Sequence, residues 1–119
     1  MSEFLDKAFM THSAVKGRLR KAIKGEENIE PATIRRDDVC EVGKWIYGEG
    51  GKQFSSVPVF VEFKKVHAEF HKCAYDIMML YNAGKIAEAN RELDQGAFEK
   101  KSNEIGSCIM RMKQDSQFK

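Results

Sequence analysis

"VPVFVEFKKVHAEFHKCAYDIMMLY", residues 57–81, decides the fold, because its apolar positions recur at helical spacing and not in alternation. Val59/Phe60, Phe63, Val66/His67, Phe70/His71, Ala74, Ile77/Met78 and Tyr81 fall at steps of three and four, so they line one face of a helix. Asn82, Ala83 and Gly84 then supply a stop. The stretch predicts a long amphipathic helix whose core face carries two histidines.

The same period appears upstream and downstream. Phe4/Leu5, Ala8, His12, Val15, Leu19 and Ile23 predict a first helix, closed by Gly25 and the polar run Glu26-Glu27-Asn28, with His12 in the middle of its apolar stripe. "IEPATIRRDD", residues 29–38, reads as a connector, since Pro31 lacks a backbone donor and restricts its predecessor. Asp37 and Asp38 suit the cap of a short helix from about Val39 to Tyr47, ended by Gly48, Gly50 and Gly51, which places Cys40 in its first turn. Gly43 inside so short a helix costs about 1 kcal/mol relative to alanine, so it implies close approach to another backbone. A last helix runs from about Lys85 towards the C-terminus through Ile86, Ala89, Leu93, Ala97, Ile105, Cys108/Ile109 and Met112. Gly96 and Gly106 weaken it, and no stop signal precedes Lys119, so an output domain has room to follow.

These elements predict an all-α fold: an antiparallel bundle of four-helix type, with three long helices and one short helix carrying Cys-x-x-Gly-x-Trp, residues 1–119 forming a single domain. No strand pattern or dinucleotide fingerprint competes with that reading.

Composition narrows the function. The 119 residues hold 20 basic and 18 acidic side chains, for a formal charge of +2, so no strong field points to nucleic acid or to an anionic membrane. No apolar run approaches the roughly 18 residues of a membrane span, and the N-terminus lacks the apolar core of a signal peptide. Three cysteines cannot all pair within one chain, which fits free thiols and a cytoplasmic location.

The chain has three histidines, and all three fall on predicted inner faces. His67 and His71 stand at i, i+4, which stacks two imidazoles about 6 Å apart on one helical face, near enough to grip one ion. Zinc takes four ligands in a tetrahedron, and His12 and Cys40 are positioned to supply the other two from separate helices. A helix N-terminus also favours a thiolate, which marks Cys40 above Cys73 and Cys108. A single histidine on an apolar face is usually a satisfied core residue; three on converging faces, two of them at i, i+4, favour a metal site instead.

"CEVGKWIYGEG", residues 40–50, followed by "HAEFH", residues 67–71, resembles the chemoreceptor zinc-binding domain, a small helical bundle of bacterial signalling proteins whose motif is of the type Cys-x-x-Gly-x-Trp-x-x-Gly-x-Gly. The resemblance covers nearly the whole chain. It implies Zn2+ bound by three histidines and one cysteine, which carries over to His12, Cys40, His67 and His71. It further implies a domain that modulates chemoreceptors or diguanylate cyclases in cis and that often forms homodimers; from the site itself, loss of zinc or oxidation of Cys40 is expected to free the short helix and alter the output. Family members often carry Trp three residues after the first histidine, where this chain has Val15; the departure concerns packing and not a ligand.

Rival chemistry fits the same residues poorly. Glu69 lies two residues after His67, about 200° around the helix, and so cannot serve as the base of a His-Glu-x-x-His protease. No Pro-Cys-x-x-Cys follows "HAE", as a zinc deaminase requires, and three histidines are too few for a di-iron centre. A full set of four ligands leaves no open position for substrate or water, so the expectation is a non-catalytic domain. Two alternatives stay open: an interaction module with purely structural zinc, and a metalloenzyme with an open metal position. Cys73 reads as an ordinary thiol, Cys108 as core, the basic stretch of residues 16–24 as a solvated face, and Trp45 as the anchor of the short helix.

Overall fold

Two glycines set the lengths of two long helices. Gly25 (φ 78°) and Gly84 (φ 80°) occupy the left-handed region that other residues avoid. Each closes a helix with the same pair of bonds: Glu26 N–H to Lys21 O (2.8 Å) with Gly25 N–H to Ala22 O (3.0 Å), and Lys85 N–H to Leu80 O (2.9 Å) with Gly84 N–H to Tyr81 O (2.9 Å). The computed structural model describes residues 1–118, which contain no strand. In chain order the helices are α1 (Ser2–Ile23), α2 (Pro31–Arg35), α3 (Glu41–Ile46), α4 (Glu49–Phe54), α5 (Pro58–Asn82), α6 (Ile86–Gln95) and α7 (Ala97–Gln114), followed by a 3-10 turn at Ser116–Phe118. None of them is long and apolar enough to cross a membrane.

Ion pairs and ring contacts fix the directions. Asp6 on α1 meets Lys113 on α7 (2.5 Å) and Lys16 meets Glu99 (2.7 Å), so α1 and α7 run oppositely. Glu62 on α5 meets Arg111 (2.7 Å) and Glu69 meets Lys101 (3.1 Å), so α5 and α7 do likewise. His12 on α1 lies beside His67 on α5, and Gly25 beside Tyr81, so α1 and α5 point the same way. Residues 24–57 make this possible by returning the chain along α5: Ile34 lies at His71, Cys40 at His67 and Trp45 at Phe60. The return segment is thus the scaffold that brings Cys40 to the histidines.

The predicted stripes of α1 and α5 are buried except at Phe4 and Tyr81, which are partly buried, and the interior is aliphatic and aromatic, with Leu19, Phe63, Phe70, Ile77, Leu93, Phe98 and Ile109 almost wholly enclosed. Each such side chain contributes roughly 1.5–3 kcal/mol by leaving water. Trp45 anchors α3 between Phe4 (5.2 Å between ring centroids), Phe60 (5.5 Å) and Phe54 (6.0 Å).

Four boundaries differ from the sequence expectation. The connector at residues 29–38 contains α2, because Pro31 stands at a first-turn position where its missing N–H costs nothing. The short helix does not extend from Val39 to Tyr47, and Gly50 and Gly51 do not end it: α3 stops at Ile46 and both glycines lie inside α4. Gly50 is needed for proximity, since a Cβ there would stand 2.7 Å from the Trp45 ring. The last helix is two, broken at Gly96, where the Glu92 carboxylate accepts from the Ala97 N–H at the start of α7 (3.3 Å), while Gly106 stays helical. It ends at Gln114, where Asp115 turns extended; Lys119 lies outside the described residues.

Candidate metal centre

Helical geometry alone sets two of the donors. His67 and His71 follow one another on the buried face of α5, and their Nε2 atoms lie 3.2 Å apart. Cys40 Sγ arrives from the return segment, 3.4 Å from His67 Nε2 and 3.8 Å from His71 Nε2. His12 reaches in from α1, its ring centroid 5.0 Å from that of His67 and 6.2 Å from that of His71. The ligand-type atoms of all four residues lie within 4.8 Å of one another, a group that could hold a metal ion. The structure thus assembles every one of the four residues singled out in the sequence.

The spacing suits zinc. Bond lengths of about 2.0–2.1 Å to nitrogen and about 2.3 Å to sulfur give tetrahedron edges of about 3.3 Å between nitrogens and about 3.5 Å between nitrogen and sulfur. The three edges among His67, His71 and Cys40 fall within a few tenths of an ångström of these values, and those to His12 lie within the 4.8 Å span of the group. The donor chemistry agrees. His12 Nδ1–H donates to Ala8 O (2.9 Å) and His71 Nδ1–H to Ile34 O (2.9 Å), which leaves the Nε2 lone pair of each ring free and fixes the tautomer that metal ligation requires. Lone pairs gathered this closely could share one cation. His67 Nδ1, on the far side of its ring, is buried without a hydrogen-bond partner, so His67 is oriented by packing and by its helix.

Burial dominates the electrostatics. It drives His12 down to about 4 and His67 down to about 2, and it lowers His71, so all three rings are neutral at pH 7. Neutral imidazole is the ligating form. The thiol corrects an expectation. Cys40 is not in the first turn of α3 and Asp37 and Asp38 do not cap that helix; Cys40 is itself the cap, its Sγ accepting from Gly43 N–H at 3.3 Å. The helix N-terminus and that N–H favour thiolate, but desolvation is larger and leaves the thiol above its ordinary value. A bound cation is therefore needed to make Cys40 anionic near neutral pH.

Gly43 shows why α3 sits where it does. A Cβ there would fall 1.9 Å from Asp37 O, so the close approach inferred from the sequence is to the chain's own 37–38 backbone and not to a long helix. Tyr47 closes the same loop, its hydroxyl donating to Asp37 Oδ2 at 2.5 Å. Sequence reasoning missed this clasp, because Asp37 was assigned to capping; the Asp-to-Tyr spacing across a short helix was the available signal.

The remaining candidates lie elsewhere. Glu69 pairs with Lys101 on α7 at 3.1 Å and does not join the donors. Cys73 is a half-buried free thiol outside the group, and Cys108 is buried against Glu62 (3.3 Å). Lys16, Arg18 and Arg20 of the basic stretch are engaged with acidic residues of the chain.

The family model of the chemoreceptor zinc-binding domain matches residues 12–78, a span that starts at His12 and takes in Cys40, His67 and His71. Comparison with curated proteins and with solved structures gives no match.

Proposed function

The chain belongs to the chemoreceptor zinc-binding domain family, and from that premise we propose that it is a non-catalytic regulatory domain in which His12, Cys40, His67 and His71 hold one Zn2+. The observation that supports this most directly is the match between the edges at 3.2, 3.4 and 3.8 Å and those of a tetrahedral zinc site. Bound there, the ion ties the return segment to α1 and α5, and four protein donors leave no position for a substrate.

The chain's residues suit a switch. His67 and His71 are preset by α5 and His12 by α1, whereas Cys40 stands at the start of a six-residue helix on the return segment. Conversion of the Cys40 thiolate to sulfenic acid by a two-electron oxidant, or withdrawal of the ion, releases that segment and changes the face it shares with α5. The arrangement is read as an antiparallel bundle of four-helix type whose second pass is the broken α2–α4 segment. In a cytoplasmic homodimer of a chemoreceptor or diguanylate cyclase, that change is passed to an output domain in cis.

Zinc per chain, measured by elemental analysis after gel filtration, tests the site. One ion per wild-type chain and a marked loss in Cys40→Ala and His71→Ala are expected; stoichiometric zinc undiminished by either substitution overturns it. Small-angle scattering with and without chelator tests the switch, and an unchanged shape and oligomeric state would leave the metal a structural staple.

A further inference from the structure

A groove of about 590 Å3 opens between α1 and the 28–40 segment, and its inner wall is built of His12, Cys40 and His71. His67, fully buried, does not line it. Three of the four donor residues therefore line one solvent-connected space, whose volume lies in the range of small-molecule sites, about 300–1,000 Å3. A second, smaller opening of about 320 Å3 on the α1–α7 side reaches His12 and neither Cys40 nor His71.

We propose that the larger groove is the entry site through which small soft-donor molecules, compact thiols and nitrogen chelators, reach Cys40 and the metal. The inference rests on the zinc reading for the metal and on geometry alone for the thiol. The chemical class follows from the walls. Arg18 and Arg36 stand on the lining but are paired with Glu27 (2.8 Å) and Asp38 (3.2 Å), so among the described residues no free cation lines the groove to select an anion. Selection comes from the donor residues on its lining. A molecule entering here meets Cys40, His12 and His71, and not His67.

The test fills each opening separately. Ala14 and Thr33 are exposed residues on the walls of the larger groove, and Asn103 is an exposed residue on the smaller one. Ala14→Trp and Thr33→Trp are each compared with Asn103→Trp; the two groove variants guard against one that fails to fold, as judged by circular dichroism. Two rates are read: zinc release to 4-(2-pyridylazo)resorcinol from loaded protein, and alkylation of Cys40 by iodoacetamide in chelator-treated protein, followed at its own peptide by mass spectrometry. The proposal expects both rates to fall at least fivefold in Ala14→Trp or Thr33→Trp and to stay within twofold of wild type in Asn103→Trp. Equal rates in all variants, or slowing confined to Asn103→Trp, overturn it. Absence of zinc from wild-type protein would sink the zinc reading instead, and the alkylation rates would still decide whether the groove leads to Cys40.

Discussion

The Nε2 atoms of His67 and His71 face each other across 3.2 Å, with Cys40 Sγ within 3.8 Å of both. Burial holds the rings neutral and the thiol protonated at pH 7, so the metal-free centre carries one proton to lose. Zinc binding should then release one proton per chain, and the apparent affinity should rise about tenfold per pH unit between about pH 6.5 and 8. Calorimetry in buffers of different ionisation enthalpy counts that proton. Cys40→Ala should release none; two or more protons from wild type would mean that the imidazoles are charged before the metal arrives.

The fit of Gly43 against Asp37 leaves no room for a methyl group. Gly43→Ala must push the 37–38 backbone away from α3, because its Cβ would fall 1.9 Å from Asp37 O. Overpacking of this kind costs about 2–3 kcal/mol, and here the displaced segment leads straight into Cys40. A drop of that size in urea-unfolding stability is expected in chelator, together with at least a tenfold loss of zinc affinity. Wild-type affinity in a folded Gly43→Ala chain would show that the loop does not position the thiol.

Two of the long helices and the histidine pair were legible because both are local or periodic signals. Apolar residues at three- and four-residue steps marked α1 and α5, and the i, i+4 histidines needed no tertiary information. The return segment was harder. Pro31 and the glycines at 48, 50 and 51 are usual chain breakers, yet Pro31 opens α2, and Gly50 lies inside α4 because the Trp45 ring fills the place of its Cβ. That ring is an aromatic neighbour only the fold supplies. Nor could the thiol be judged from sequence, where the helix N-terminus is visible and the desolvation that outweighs it is not.

Glu69 stands apart from the four-residue group. It lies within "HAEFH" but pairs with Lys101 on α7, half-exposed and away from the donors. Glu69→Gln should leave zinc content unchanged and stability within about 1 kcal/mol, the usual worth of an exposed ion pair. Elemental analysis and thermal melts check both. Loss of zinc in this variant would place the carboxylate at the metal.

Acid should unfold the metal-free protein through its histidines. His12 and His67 are held at about 4 and about 2 in the fold, against an ordinary value of 6.5, so below pH 6.5 the unfolded chain binds more protons than the folded one. Stability is then full above pH 6.5 and falls as pH drops towards 4, the sign expected when burial disfavours the charged ring. Melting of chelator-treated protein between pH 7.5 and 4.5 should show this decline, and His12→Phe should flatten it. An unchanged slope in that variant would exclude His12 as a source.

The Tyr47 hydroxyl and Asp37 tie the loop before Cys40 to the end of α3. The 2.5 Å bond from the Tyr47 hydroxyl to Asp37 Oδ2 pushes the phenol up to about 12, so the bond is intact below pH 10 and is lost as pH rises towards 12. Because Tyr47 is exposed, Tyr47→Phe should cost only about 0.5–1 kcal/mol. If that energy resists the opening of the 37–40 segment, zinc release to a chelator should quicken about two- to fivefold, with stoichiometry unchanged. Tyrosinate absorbance supplies an independent check: the step near pH 12 should vanish in Tyr47→Phe. A release rate equal to wild type alongside the missing step would show that the clasp stabilises α3 without governing Cys40.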